Sequence, residues 1–105
     1  MIKDNSKLIM YLNASISGIF KILPLYEEKN VGVEVYIDSL LFTLYSIDKA
    51  IEIQHSHDFI TLLATLESIK LEVVKEDSKQ PVIKREIFKC INIVKNMVSR
   101  LEREL

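Results

Sequence analysis

The chain has 105 residues, 49% of them hydrophobic and 28% charged, and its net charge is −1. This length suits one domain with a core of its own, and the single cysteine excludes an intrachain disulfide. No apolar run approaches the about twenty residues of a membrane span, and the N-terminus lacks the apolar segment of a signal peptide. We therefore expect a cytoplasmic protein with no membrane contact.

Helices are predicted nearly everywhere, because the chain has two glycines, two prolines and almost no strand-like alternation. The first helix has candidate N-caps at residues 4–6 and ends or kinks near residue 23, since Pro24 lacks a backbone donor. Gly18 is expected to mark a close helix crossing. The segment 23–32 is a connection, or a short extra turn opened by Pro24.

The middle of the chain predicts two further helices. One runs from about Val33 to Ile53, with apolar residues alternately four and three positions apart. The polar stretch 54–58 separates it from a third helix, which is capped by Ser56 or Asp58. The polar stretch 76–80 ends this third helix.

The stretch 81–105 carries the clearest helical signal. Pro81 stands where the first residue of a helix tolerates proline. Behind it, apolar residues form a seam with steps of four and three, as in a coiled coil: Ile87, Ile91, Val94, Val98, Leu101 and Leu105.

Four amphipathic helices joined by short loops predict an all-α fold, an up-down antiparallel four-helix bundle with a long C-terminal helix. A single domain is expected to span residues 1–105. The end of the last helix is expected to project from the bundle. Val98, Leu101 and Leu105 would then be exposed, and we predict self-association through them as a homodimer.

Few residues form a pattern that carries chemistry. His55, His57 and Asp58 could ligate one divalent metal, but a solvated loop that caps a helix is the preferred interpretation. Cys90 lies on an apolar helix face and is interpreted as a small buried hydrophobe. The aromatic residues fall mostly at core spacing. We therefore predict no catalytic residues, no metal and no cofactor.

Charge is distributed unevenly along the chain. Residues 25–80 carry eleven acids against five lysines, whereas residues 81–105 carry six basic side chains against three glutamates. An acidic face that bears tyrosine suits docking onto a basic protein surface. We assign such a partner-binding face to Tyr26, Glu27, Glu28, Glu34 and Asp38.

The leading hypothesis is a non-enzymatic bundle that acts by binding another protein, as an inhibitor, immunity or antagonist protein. In size and helix count alone, the chain is similar to bacteriocin immunity proteins and to phage- or plasmid-encoded inhibitors. Its eleven lysines against three arginines are typical of AT-rich genomes, which fits a bacterial, phage or plasmid origin. The alternative is a nucleic-acid-associated accessory factor that uses the basic last helix, but the glutamates in that helix make nucleic acid the weaker choice.

Overall fold

A computed structural model describes residues 5–104 of the chain. Between its third and fourth helices it has two short 3₁₀ turns, Asp48–Ala50 and Ile53–His55. The predicted all-α bundle with a long last helix is confirmed. Its helices are α1 (Ser6–Phe20), α2 (Ile22–Glu27), α3 (Val33–Tyr45), α4 (Ser56–Val73) and α5 (Gln80–Arg103).

Consecutive arms of the bundle run in opposite directions, with α1 and α2 forming the first arm. Helix α5 packs against both α1 and α4, and α4 also packs against α3. At one end, the side chain of Asn5 reaches Glu104. At the other end, Tyr26 is hydrogen-bonded to Ser78. The described part of the chain measures 51 × 21 × 19 Å, so the core is one helix bundle about two helices wide.

The predicted seam of α5 fills this core. Ile87 and Val94 are fully buried, and Ile91 is 5% exposed. Cys90 is also fully buried, and burial raises the pKa of its thiol to about 12, with a smaller contribution from the nearby charge of Glu86. The interpretation of Cys90 as a small buried hydrophobe is therefore confirmed.

Proline divides the first arm. The chain stays helical across Pro24, and the irregular residue is Lys21. Pro24 has no N–H to donate to the carbonyl of Phe20, four positions earlier, so α1 ends at Phe20. Helix α2 begins at Ile22 and contains Pro24 in its first turn, where the missing donor is tolerated.

Gly18 confirms the predicted close crossing, which lies between α1 and α3. A Cβ atom on Gly18 would stand 2.9 Å from Cδ2 of Leu40, so the helices approach this closely because glycine has no side chain. The hydroxyl of Tyr36 donates a hydrogen bond to the carbonyl of Gly18 at 2.7 Å. Burial raises the pKa of Tyr36, which keeps this hydroxyl protonated as a donor.

The predicted helix over 33–53 is too long, because α3 ends at Tyr45. A hydroxyl side chain competes with the backbone there, since Ser46 Oγ donates to the carbonyl of Thr43. This bond satisfies a carbonyl that the next helical turn would otherwise use. The chain then reaches α4 through the two 3₁₀ turns.

One stretch of the described residues, Ser6–Glu27, is long and apolar enough to cross a membrane by length and composition alone, with a mean hydropathy of 1.5. Core helices of soluble proteins and N-terminal signal sequences pass the same test. In the bundle, Leu8, Leu12 and Ile19 of this stretch are buried against the other helices. A cytoplasmic location without membrane contact stays a prediction.

Candidate protein-binding surface

The outer side of α3 and α4 carries large apolar side chains that face solvent. Phe42 is the most exposed of them at 77%. Five such side chains lie on these two helices, which pack against each other. We call them the α3–α4 apolar surface; its members are Val35, Phe42 and Tyr45 of α3 with Leu71 of α4 and its C-cap Val74. Ile60 of α4 is also exposed, but it lines an open groove between α4 and α5.

An ion pair shows that these side chains share one side of the bundle. Lys70 Nζ of α4 lies 2.7 Å from Asp38 Oδ1 of α3. Asp38 stands three positions after Val35 and four before Phe42, so all three project from the same side of α3. Val74 stands four positions after Lys70 and is placed likewise on α4. These three apolar side chains therefore lie beside the ion pair on the outer side of the two helices.

The charges around this surface are mainly negative. The pKa of Lys70 is raised first by its hydrogen bond with Asp38, and also by the fields of Asp38, Glu67 and Glu34. Three carboxylates thus surround one ammonium group, and α3 contains no basic residue at all. We call these four charged side chains, Glu34, Asp38, Glu67 and Lys70, the rim of the α3–α4 apolar surface. The rim has a net charge of −2 when all four are ionised.

An open groove of about 810 Å³ continues the surface at one end of the bundle, where α2 and α3 face the connection between α4 and α5. Val74 and Glu34 line both the groove and the α3–α4 side. Val31 adds a fully exposed apolar side chain to the groove wall. The groove and the α3–α4 apolar surface are therefore continuous.

Two of the predicted partner-binding residues, Tyr26 and Glu27, line this groove. Tyr26 is half-buried, and its hydroxyl lies 2.9 Å from Ser78 Oγ, where either atom can donate. Glu27 is exposed, and its Oε2 accepts a hydrogen bond from Gln80 Nε2 at 3.1 Å. Both side chains thus also hold α2 against the start of α5.

Of the remaining predicted residues, Glu34 lines the groove together with Tyr26 and Glu27. Asp38 lies further along α3, where it is held by Lys70. Glu28 is exposed but does not line the groove. The structure therefore brings Tyr26, Glu27 and Glu34 together, and that these residues bind a partner stays a prediction.

The prediction that the aromatic residues lie mostly in the core is wrong. Only Phe59 is almost fully buried, at 1% exposure, whereas five of the eight aromatic residues are exposed. Helices α3 and α4 carry apolar residues on their outer as well as their inner sides, and seam spacing alone does not separate the two. At about 100° per residue, Phe42 and Val35 fall opposite the buried Ile37, so a helical-wheel projection of α3 could have found them.

The predicted exposure of the self-association residues is also wrong. Val98 is 7% and Leu101 is 2% exposed, because the end of α5 does not project. The start of α1 and the second 3₁₀ turn both reach it through Glu104, and polar residues occupy its exposed side. Leu105 lies outside the described residues. A homodimer stays a prediction, but it cannot use Val98 and Leu101 while these remain in the core.

The candidate metal ligands do not converge. His55 is 4% exposed rather than solvated as predicted, and its Nε2 lies 2.8 Å from Glu104 Oε1. Its Nδ1 is buried without a hydrogen-bond partner among the described residues. Asp58 pairs with Arg100, and His57 is exposed. Within residues 5–104, no group of three His, Cys, Asp or Glu side chains is placed to hold a metal ion.

Comparisons of the chain with known protein families, with curated proteins and with solved structures find no match. The functional argument therefore depends on the residues of this chain. The α3–α4 apolar surface is the feature of the described residues that most needs a function, since contiguous apolar patches with a polar rim mark interaction sites.

Proposed function

We propose that this protein is a non-enzymatic helical bundle that acts by binding another protein, as an inhibitor, immunity or antagonist protein. The observation that carries the proposal is the exposure of five large apolar side chains on the neighbouring helices α3 and α4. Covering them would remove apolar area from water at about 25 cal/mol per Å², which favours association. Phe and Tyr are also enriched at protein interfaces, where a few such residues supply most of the binding energy.

Phe42 is the best candidate for the centre of the interface. It is the most exposed member of the surface, and it stands between Val35 and Tyr45 on α3. At about 1.5 Å per residue, the stripe on α3 is about 15 Å long. Truncating a central aromatic anchor costs more than about 1.4 kcal/mol, or tenfold in affinity, in typical interfaces.

Site-specific photo-crosslinking tests the proposal. A benzophenone amino acid replaces Phe42 in one variant and Leu71 in a second, and the tagged proteins are irradiated in lysate of the source organism with and without nuclease. Met10 is the matched control position, because it is 69% exposed but lies on α1. We expect one protein adduct from positions 42 and 71, resistant to nuclease and absent from position 10.

The other outcomes would contradict the proposal or favour a different function. Equal adducts from all three positions, or none, would contradict binding through α3 and α4. An adduct that nuclease removes would favour the accessory factor, whose contacts would come from α5. In that helix Arg100 already forms an ion pair with Asp58, and Arg85 lies 3.8 Å from Glu86. An adduct containing only this chain would indicate the homodimer.

A further inference from the structure

We propose that the occupant of the α3–α4 apolar surface is a basic amphipathic helix of a partner protein. The inference rests on the proposed function, because it names the chemistry of the partner that this surface takes. It depends on the shape of the surface, on the negative charge of its rim, and on the repulsion of other possible occupants by that charge.

The shape suits a helix. Two packed helices leave a shallow depression between their outer sides, and an amphipathic helix lies along such a depression with its apolar face inward. The apolar side chains lie beside the Asp38–Lys70 pair, from Val35 and Val74 at one end to Tyr45 at the other. A length of about 15 Å corresponds to about 10 helical residues, with apolar anchors three or four positions apart.

The charge of the rim requires that this helix be basic. Glu34, Asp38 and Glu67 surround Lys70, and the three carboxylates exceed the one ammonium group by two charges. A docked helix would remove water from these carboxylates, which is costly unless cationic groups replace the lost hydration. Lysine or arginine along the edges of the occupant would supply those groups and speed its association.

The groove that continues the surface also favours a cationic ligand. Glu27, Glu34 and Glu76 line it, against Lys29 and Lys75. Lys75 is itself held by Glu72 at 3.0 Å, which leaves its charge less available to an acidic ligand. A basic segment that runs on from the docked helix would therefore meet further carboxylates and the exposed Val31 at this end.

The same charges disfavour the other occupants. A second copy docked by a twofold axis would place this rim against itself, and like charges facing each other across an interface cost several kcal/mol. An anionic lipid surface and a nucleic acid would be repelled in the same way. A partner protein with a cationic amphipathic helix is the occupant that satisfies both the apolar stripes and the rim.

Synthetic peptides test this chemistry directly. The probes are three fluorescent peptides of about 14 residues: a leucine–lysine amphipathic helix, its leucine–glutamate counterpart, and a leucine–lysine peptide of the same composition with its periodicity scrambled. Fluorescence anisotropy measures their binding to the full chain at low and moderate salt. We expect the leucine–lysine helix to bind at least about tenfold more tightly than either control, with affinity that falls as salt rises.

Two kinds of variant separate the contributions. Phe42→Ser removes the apolar anchor, and the double variant Glu34→Lys with Glu67→Lys reverses the charge of the rim. Each variant is expected to weaken binding of the leucine–lysine helix about tenfold. Met10→Ser and Glu102→Lys are the matched controls, because both positions are exposed on α1 or α5, and each is expected to leave binding within about twofold. Circular dichroism of each variant verifies that the bundle is folded.

The outcomes distinguish this inference from the proposed function. If the leucine–lysine helix fails to bind, if the glutamate peptide binds equally well, or if rim reversal has no effect, the basic helix is contradicted. The protein-binding function would still stand if crosslinks from position 42 identify a partner. If wild-type protein sediments as a dimer and Phe42→Ser as a monomer, the occupant is a second copy and the inference is overturned.

Discussion

Lys70 Nζ lies 2.7 Å from Asp38 Oδ1 and joins α3 to α4 at the rim of the α3–α4 apolar surface. The two side chains are 26% and 52% exposed, and ion pairs in such positions contribute little to stability. The pair matters more for the potential of the surface, because Lys70 is the one cation among the three rim carboxylates.

Removing that cation should strengthen the binding of a cationic ligand. We predict that Lys70→Gln tightens binding of the leucine–lysine helix severalfold at low salt and leaves the melting temperature of the protein nearly unchanged. Lys84→Gln, which changes the same charge on the exposed side of α5, is the control. Anisotropy titrations at two salt concentrations measure the effect. Weaker binding by Lys70→Gln than by Lys84→Gln would contradict the electrostatic role of the rim.

The crossing of α1 and α3 depends on a specific hydrogen bond. Tyr36→Phe removes the donor to the Gly18 carbonyl, and we predict a loss of about 1 kcal/mol in the free energy of unfolding. Tyr45→Phe removes a hydroxyl from a half-exposed tyrosine of the same helix and should change stability by less than about 0.5 kcal/mol. Urea unfolding of both variants makes the comparison. Equal effects would show that the Tyr36 bond does not secure the crossing.

The centre of the core should not tolerate a charge. Ile91→Asp would bury an unpaired carboxylate, and the cost is comparable to the whole stability of a small domain. We predict loss of most of the helical circular dichroism signal at neutral pH. Asn92→Asp introduces the same charge at the exposed neighbouring position and should leave the spectrum unchanged. A folded Ile91→Asp variant would show that the α5 seam does not form the core.

The buried His55 depends on the end of α5. Glu104→Ala would leave both ring nitrogens of His55 without a hydrogen-bond partner, and we predict a loss of about 1–3 kcal/mol in the free energy of unfolding. Glu102→Ala removes an exposed carboxylate two positions away and should cost less than about 0.5 kcal/mol. Chemical denaturation compares the two. If they were equally stable, the contact between His55 and Glu104 would contribute nothing to folding.

Cys90 should report unfolding through its reactivity. Burial raises the pKa of its thiol to about 12 from an ordinary value of 9.0, so the folded protein holds the thiol neutral and covered at pH 8. Because the folded pKa is the higher one, its contribution to stability is complete below about pH 9 and is lost as the pH rises towards 12. We predict negligible thiol labelling at pH 8 and rapid labelling in denaturant. Rapid labelling of the native protein would contradict the buried position.

The sequence predicts α5 well because polar and apolar residues are sharply segregated around it, and every described residue of its seam is buried. Gly18 was also predictable, since a glycine inside an apolar helix suggests a close approach. The end of α3 was not, because Leu44, Ile47 and Ile51 continue the helical spacing. The side-chain bond made by Ser46 competes with the next helical turn without interrupting that spacing.

The surface was only partly predictable. Composition located Glu34 and Asp38 on an acidic stretch, but the fold decides that Asp38 pairs with Lys70, thirty-two positions later in the chain. The spacing of apolar residues does not predict the exposure of Phe42, because a pattern of threes and fours admits residues on either side of a helix as apolar as α3. Tertiary packing selects which side is buried, and local sequence spacing does not contain that choice.

A nuclear magnetic resonance titration tests the central claim most directly. Isotope-labelled protein is titrated with the leucine–lysine helix, and the amide shifts are followed residue by residue. We predict that the largest changes map to α3 and α4 around Phe42 and Leu71, with little change in α1 around Met10, and that Phe42→Ser greatly reduces them. Changes centred on α1 and α5, or changes unaffected by Phe42→Ser, would contradict binding through the α3–α4 apolar surface.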